Sequence, residues 1–330
     1  AGSLSRAAHS LYVAQPALTA QIKKLEAELG TQLLERSHAG VTPTPAGNQL
    51  YEDARRLLSD ADAMCERLQR LHLLVELLRV LEAEGIKSDL IMGVSIGSII
   101  GAIYAAGTSA AEVEQLAMTL DLGDLRDLSW VHWGQVRGQK LEDFVNARVG
   151  HRPLEALGVR FVAVATRQHD GSLQLFNNGD TGAAVRASSA VPGRFYAVRI
   201  GGVTYVDGDV ASPVPIRAAR MLGADVVIAV DISARLENVP NRVPEEWLKL
   251  DLERRKRIDA EAAFADVMIH PELGYRAGTS EEYRKRVIAA AAEATRAAIP
   301  RIRAAMASGA AKRAARTTPV SPSVTTPTAR

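Results

Sequence analysis

From Gln15 to Leu29 the apolar residues Leu18, Ile22, Leu25 and Leu29 return at intervals of three and four, which lays a single apolar stripe along a helix. Pro16 falls in its first turn, where a missing N–H does no harm, and Gly30 stops it. Ser5 is an earlier helix-start signal, so two helices with a turn at Leu11–Ala14 form a helix-turn-helix candidate. The pattern changes in the middle of the chain. Short apolar runs at Asp89–Val94, Val159–Thr166, Tyr196–Ile200, Val203–Val206 and Asp225–Asp231 read as strands. They alternate with helical stretches at Leu73–Glu84, Gly97–Ala106, Gln139–Val149, Pro215–Leu222 and Glu281–Met306. That alternation predicts an α/β fold with a mostly parallel sheet covered on both faces. Residues 307–330 hold almost no large apolar side chains and are expected to be disordered. The expected division is therefore 1–70, 71–306 and 307–330.

Composition excludes more than it selects. In 330 residues, 47% are hydrophobic and 24% charged, with a net charge of +2, so any basic partner surface must be local. The single cysteine, Cys65, cannot form an internal disulfide and reads as a packed helix residue. The apolar region Leu90–Ala106 is broken by glycines and serines and is too short for a membrane span. The N-terminus lacks a basic start followed by an apolar run, so the expected location is cytoplasmic. No cluster has metal-ligand spacing and no cofactor is implied.

The segment DLIMGVSIGSIIGAIYAAG places Gly93, Ser95 and Gly97 in G-x-S-x-G between an apolar strand and a helix. This is the setting of a sharp strand-to-helix turn that exposes a serine hydroxyl. The start of the helix, at Ile96, adds N–H donors beside it. The serine needs a base. None of the seven histidines sits in an obvious motif, whereas Asp207 ends an apolar strand before Gly208, where desolvation makes a carboxylate more basic. A Ser95–Asp207–His270 triad in hydrolase chain order is the weaker variant. Trp130 and Trp133, flanking His132, line an acyl pocket or simply pack a loop. Asp231 could orient a turn, and Glu245–Arg257 reads as a solvated helix face.

Two resemblances follow from these residues. GSLSRAAHSLYVAQPALTAQIKKLEAELGTQLLERSHAGVTPTPAG resembles the winged helix-turn-helix of LysR-type transcriptional regulators, and Asn48–Arg70 is similar to their linker helix. The resemblance implies that Gln15, Pro16, Thr19 and Gln21 face base edges. It also implies that Lys23, Lys24 and Arg36 meet phosphates, that Arg36 and His38 lie in a wing, and that the linker helix pairs two subunits. The family's preceding helix is not in this sequence, so exposed apolar surface and weak DNA binding are expected. The segments around Ser95, ASSAVPGRFYAVRIGGVTYVDGDVASPVPIRAARMLGADVVIAVDIS and ADVMIHPELG look like bacterial patatin-like phospholipases.

That second resemblance implies a three-layer α/β/α domain and hydrolysis of lipid acyl esters by a serine–aspartate dyad, here Ser95 and Asp207. Asp209 stands where the family's D-G-G/A motif has a small residue. It either raises the pKa of Asp207 or faces solvent, and solvent is favoured. The family's glycine-rich oxyanion loop has no counterpart in CERLQRLHLLVELLRVLEAEGI, so impaired turnover and an open sheet edge are expected. The alternative function is a DNA-binding regulator whose hydrolase-derived domain is a sensor or remnant.

Overall fold

The computed structural model describes residues 3–317 apart from 11–12, 38–39, 120–126, 128–135, 234–235, 237–238, 240–242, 244 and 276–280. Backbone alone is described at 36–37, 55–70, 246–247 and 312–317. The chain divides into two compact units, Ala1–Cys65 and Glu66–Arg330.

The first unit holds helices α1 (Leu4–Ser10) and α2 (Gln15–Leu29) and an antiparallel hairpin of β1 (Leu34–Ser37) and β2 (Gly40–Pro43). Ser5 Oγ donates to Gln15 Oε1 at 2.9 Å, which ties the start of α1 to the start of α2. Helix α2 ends at Gly30, whose N–H bonds the Glu26 carbonyl. Glu26 Oε1 accepts from the N–H groups of Leu33 and Leu34 at 2.8 and 3.2 Å, fastening the hairpin to α2. The apolar stripe of α2 is not a core face: no residue of that helix is buried, and Leu25 and Leu29 are 40% and 49% exposed.

Helix α3, Pro45–Ala83, begins in this unit, with Thr44 Oγ1 accepting the Gly47 N–H at 3.0 Å as its N-cap bond. The sequence reading placed a linker helix at Asn48–Arg70 and a separate one at Leu73–Glu84, but the two are one helix. Between Asn48 and Ala83 there is neither glycine nor proline to interrupt it.

The second unit is an α/β domain. Its five-stranded sheet contains β3 (Leu90–Val94), β4 (Arg160–Arg167), β5 (Leu173–Phe176), β6 (Val198–Ile200) and β7 (Val203–Asp207). Helices α4 (Ile96–Ala105), α5 (Ala110–Thr119), α6 (Gln139–Arg148), α7 (Thr181–Ser188), α8 (Ile216–Met221), α9 (Glu245–Ala262) and α10 (Glu281–Thr317) surround it. A smaller parallel pair joins β8 (Ile228–Val230) to β9 (Val267–Ile269). Neighbouring residues of β3 face opposite layers. Ile91 joins the core with α4, α6 and α7, while Met92 packs with Ile216 and Ala219 of α8. This is the three-layer arrangement expected.

The sheet itself corrects the expectation of mostly parallel strands. Only β3–β4 is parallel in it; β4–β5, β4–β7 and β6–β7 are antiparallel. The reason is connection length. Ile200 pairs with Val203 across a two-residue turn, and so short a link can only reverse the chain. Among the described residues β3 is an edge strand, with β4 its only strand partner.

Helix α10 supplies a second correction. It continues to Thr317, so residues 307–317 are helical rather than disordered. This stretch is rich in alanine, the strongest helix former. Gly309 is also buried, and a Cβ there would stand 2.5 Å from Val226 Cγ2. Residues 318–330 lie outside the described residues. Among those described, no helix is long and apolar enough to cross a membrane.

Candidate active site

The register of β4 decides how the site is built. Strand β3 pairs with Arg160–Val164, and β7 pairs with Ala165–Arg167. Strand β5 pairs with Ala163–Thr166, overlapping both, so it must occupy the opposite edge of β4. Strands β3 and β7 therefore share one edge and run towards each other. Val94 stands opposite Val164 and Asp207 opposite Ala165. Ser95, the residue after β3, and Asp207, the last of β7, are thus brought together although they are far apart in sequence.

Ser95 adopts φ 51° and ψ −122°, a left-handed φ unusual for a residue with a Cβ, between the end of β3 and the start of α4. The strain is held in place by several bonds. Its N–H donates to Ser188 Oγ at 3.1 Å, and Ser188 Oγ donates to the Val164 carbonyl at 2.6 Å. The Ser95 carbonyl accepts from Ser98 Oγ at 2.6 Å and Ser189 Oγ at 3.2 Å. Serines 188 and 189, at the end of α7, are positioning residues that the sequence reading left unassigned. Glycine is obligatory at Gly93, where a Cβ would stand 2.5 Å from Ser98 Cα. It is equally so at Gly208, where a Cβ would meet the Val164 carbonyl oxygen at 2.2 Å and push β7 off β4.

Asp207 is 2% exposed. Its Oδ1 accepts the Asp209 N–H at 2.9 Å, and Thr166 Oγ1 donates to its main-chain carbonyl at 2.8 Å. Its Oδ2 is buried, and no donor among the described residues stands in hydrogen-bonding geometry to it. The Ser95 hydroxyl is near enough to favour the charged form, so the two side chains face one another without a closed bond. Burial is the largest influence on the carboxyl and raises its pKa, with the Asp209 charge acting the same way. The Asp209 N–H, the Ser95 hydroxyl and Arg254 oppose them, and the net result is a carboxyl pushed up to about 7.

Asp209 does not face solvent as expected. Its Oδ2 accepts from Arg254 of α9. The run Glu245–Arg257 is correspondingly more than a solvated face, because Arg255 pairs with Asp231 at 2.8 Å and donates to Ser233 Oγ at 2.6 Å. His270 belongs to this second cluster. Its Nδ1 lies 3.0 Å from Asp231 Oδ2 and its Nε2 lies 3.1 Å from the Ser233 carbonyl. A Ser95–Asp207–His270 triad is therefore excluded, since both ring nitrogens are engaged elsewhere. Burial works against a charged Asp231, but hydrogen bonds from His270 and Ser233 outweigh it and hold the carboxyl below the usual carboxylate range.

In the first unit, Gln15, Pro16, Gln21, Lys23 and Lys24 are exposed along α2 and Thr19 is half-buried. Arg36 lies on β1 of the hairpin, its side chain outside the described residues, as is that of Cys65. His38, Trp130, His132 and Trp133 lie outside the described residues altogether. Among the described residues, no group of three His, Cys, Asp or Glu side chains is placed to hold a metal ion.

Residues 73–220 match the family model described as patatin-like phospholipase, and residues 1–48 match that of the bacterial regulatory helix-turn-helix proteins of the LysR family. The chain carries a patatin-like domain behind a LysR-type helix-turn-helix. An uncharacterized NTE family protein of Mycobacterium bovis is 33% identical over 166 residues, 48% of this chain and 46% of that protein. The chain thus spans about half the length of this relative. The helix-turn-helix region is 49% identical over 67 residues to the transcriptional regulator TcbR of a Pseudomonas species, 20% of this chain and 23% of the regulator. The crystal structure of VipD from Legionella pneumophila shares the fold, with a TM-score of 0.53 at 13% identity, covering 72% of this chain and 65% of VipD. The strand ends that carry Ser95 and Asp207 both fall inside the matched patatin-like segment.

Proposed function

We propose that the patatin-like domain hydrolyses carboxylic esters of lipids through an acyl-Ser95 intermediate, with Asp207 as its base. The observation that carries this reading is the head-to-head meeting of β3 and β7 on one edge of β4. It sets a strained serine beside a buried carboxylate with one open oxygen. Asp207 takes the Ser95 proton as Oγ attacks the acyl carbon. It then returns that proton to the departing alcohol, and water attacks the acyl-serine by the same route in reverse. The N–H groups of Ile96 and Gly97 open α4 and have no acceptor within the helix, so they are available as donors to the developing oxyanion. At Gly97 nothing lies within 4 Å of a Cβ position, which leaves room for substrate beside the nucleophile.

Residues 66–72, which stand where the resemblance implies a glycine-rich loop, are helical within α3. We therefore infer a hole with fewer donors than usual and slow turnover. A fluorophosphonate probe should label Ser95 stoichiometrically and leave Ser95→Ala unlabelled. Turnover of p-nitrophenyl esters should sit roughly two orders of magnitude below a complete hole, the scale of one oxyanion donor. An unlabelled Ser95 defeats the nucleophile, and fast Ser95-dependent turnover defeats the impaired hole.

A second reading concerns the first unit, because its match to LysR-type regulators is specific and three of the expected base-facing side chains, Gln15, Pro16 and Gln21, are exposed on α2. We propose weak duplex DNA binding by this unit, lost steeply as salt rises because phosphate contacts from residues such as Lys23 and Lys24 dominate it. A binding titration at two salt concentrations tests this. Sequence-specific binding that survives physiological salt overturns it.

A further inference from the structure

Two consecutive arginines on α9 reach two different acidic turns. Arg254 meets Asp209, just beyond the end of β7, and Arg255 meets Asp231, just beyond the end of β8. Arg254 is held in its turn by Asp251 at 3.8 Å, and Asp251 accepts from the Tyr275 hydroxyl at 2.7 Å. The arrangement at Asp209 continues directly into the site, since the Asp209 N–H is the group that bonds Asp207 Oδ1.

We propose that Arg254 is a positioning residue of the site: through its ion pair with Asp209 it fixes the turn whose N–H holds Asp207 Oδ1, and so keeps Oδ2 turned to Ser95. This rests on the dyad reading above. Without the arginine the turn loses the side-chain anchor at Asp209, and the Asp209 carboxylate becomes a less compensated negative charge beside a buried carboxyl. Among the described residues, the charged groups that act on Asp207 are these two. Asp209 raises its pKa and Arg254 lowers it, while Arg255 and His270 are engaged with Asp231. The polar neighbours on the other elements, Ser95 after β3 and Thr166 on β4, carry no charge.

The two side chains therefore have opposite signatures. A base must be ionised, so activity falls on the acid side with a midpoint set by Asp207. The test is kcat/KM for a p-nitrophenyl ester across roughly pH 5 to 9 in the full chain and its variants. In Arg254→Gln the acid limb should move up by about one pH unit, and in Asp209→Asn it should move down. Arg254→Lys restores the charge and should bring the limb back towards the parent. Placed on Asp209→Asn, the Arg254→Gln change should move the limb far less than it does alone, because the pair acts as a unit.

A purely structural role would lower activity at every pH without displacing the midpoint. An unmoved limb in Arg254→Gln, or equal shifts with and without Asp209, overturns the proposal. Should Arg254→Gln fail to fold, Asp209→Asn carries the test, and an unmoved limb there overturns it as well. Retained activity in Ser95→Ala or Asp207→Asn defeats the dyad instead, so the two failures are distinguishable.

Discussion

Ester turnover should vanish in Ser95→Ala and in Asp207→Asn, each falling by at least about 10³-fold to the level of the uncatalysed background. The first variant removes the oxygen that forms the acyl bond. The second is subtler. Asparagine keeps an oxygen for the Asp209 N–H, so the turn survives, but it cannot take the serine proton. KM should change little in either, because neither group is asked to bind the ground state. In the parent, kcat/KM should fall about tenfold per pH unit below the carboxyl midpoint, which burial has pushed up to about 7. Steady-state kinetics across that range check both points. Activity that persists without the Ser95 hydroxyl would move the chemistry to another nucleophile.

The same carboxyl should make Asp207→Asn a stabilised protein. Burial raises the folded-state pKa of Asp207, so the native chain holds this proton more tightly than the unfolded chain, where the group titrates near about 3.9. The stabilisation from that proton is complete below the unfolded value and is lost as pH rises through about 7. Ionising the base for catalysis thus destabilises the fold by an amount on the order of a few kcal/mol. Asparagine is neutral throughout. Thermal melting should therefore place the variant several degrees above the parent near about pH 8.5, at roughly 2–4 °C per kcal/mol for a domain of this size, and only about a third as far above it near about pH 5, where the unfolded carboxyl has already ionised. A melting difference that does not grow with pH would show that the carboxylate is solvated or paired in the native state.

What could be read from the sequence was local, and what could not was pairwise. The strand, turn and helix around Ser95 were legible because each has its own signature: an apolar run, paired glycines, then helix formers. The same holds for β7 ending at Asp207. The antiparallel course of β4–β7 was not, because an apolar run states that a strand is buried and not which way its neighbour points. Strand β5, only four residues long, carried too little pattern to register. The arginines of α9 were misjudged for a related reason. A charge run on a helix looks the same whether it meets water or carboxylates on distant turns, and only the fold shows that Arg254 and Arg255 find Asp209 and Asp231. His270 lay next to an apolar strand in a plausible chain order, and its true partner, Asp231, was visible only once β8 and β9 were seen side by side.

The opposed strand ends on β4 also set the order in which the site can appear during folding. The bend at Ser95 needs β3, α4 and the parallel pairing with β4, which already spans a long stretch of chain. The base needs β7 on the same strand, and this is the shorter closure: Ala165 to Asp207 spans 42 residues (207 − 165), whereas Val94 to Val164 spans 70 (164 − 94). Contacts of such high sequence separation form late, since loop entropy must be met before they contribute anything. On the dyad reading, a refolding chain regains most of its helix before it regains a reactive serine. A nascent or partly unfolded chain is chemically silent until both strand ends have docked on β4, because neither the serine nor the carboxylate can pass a proton without the other.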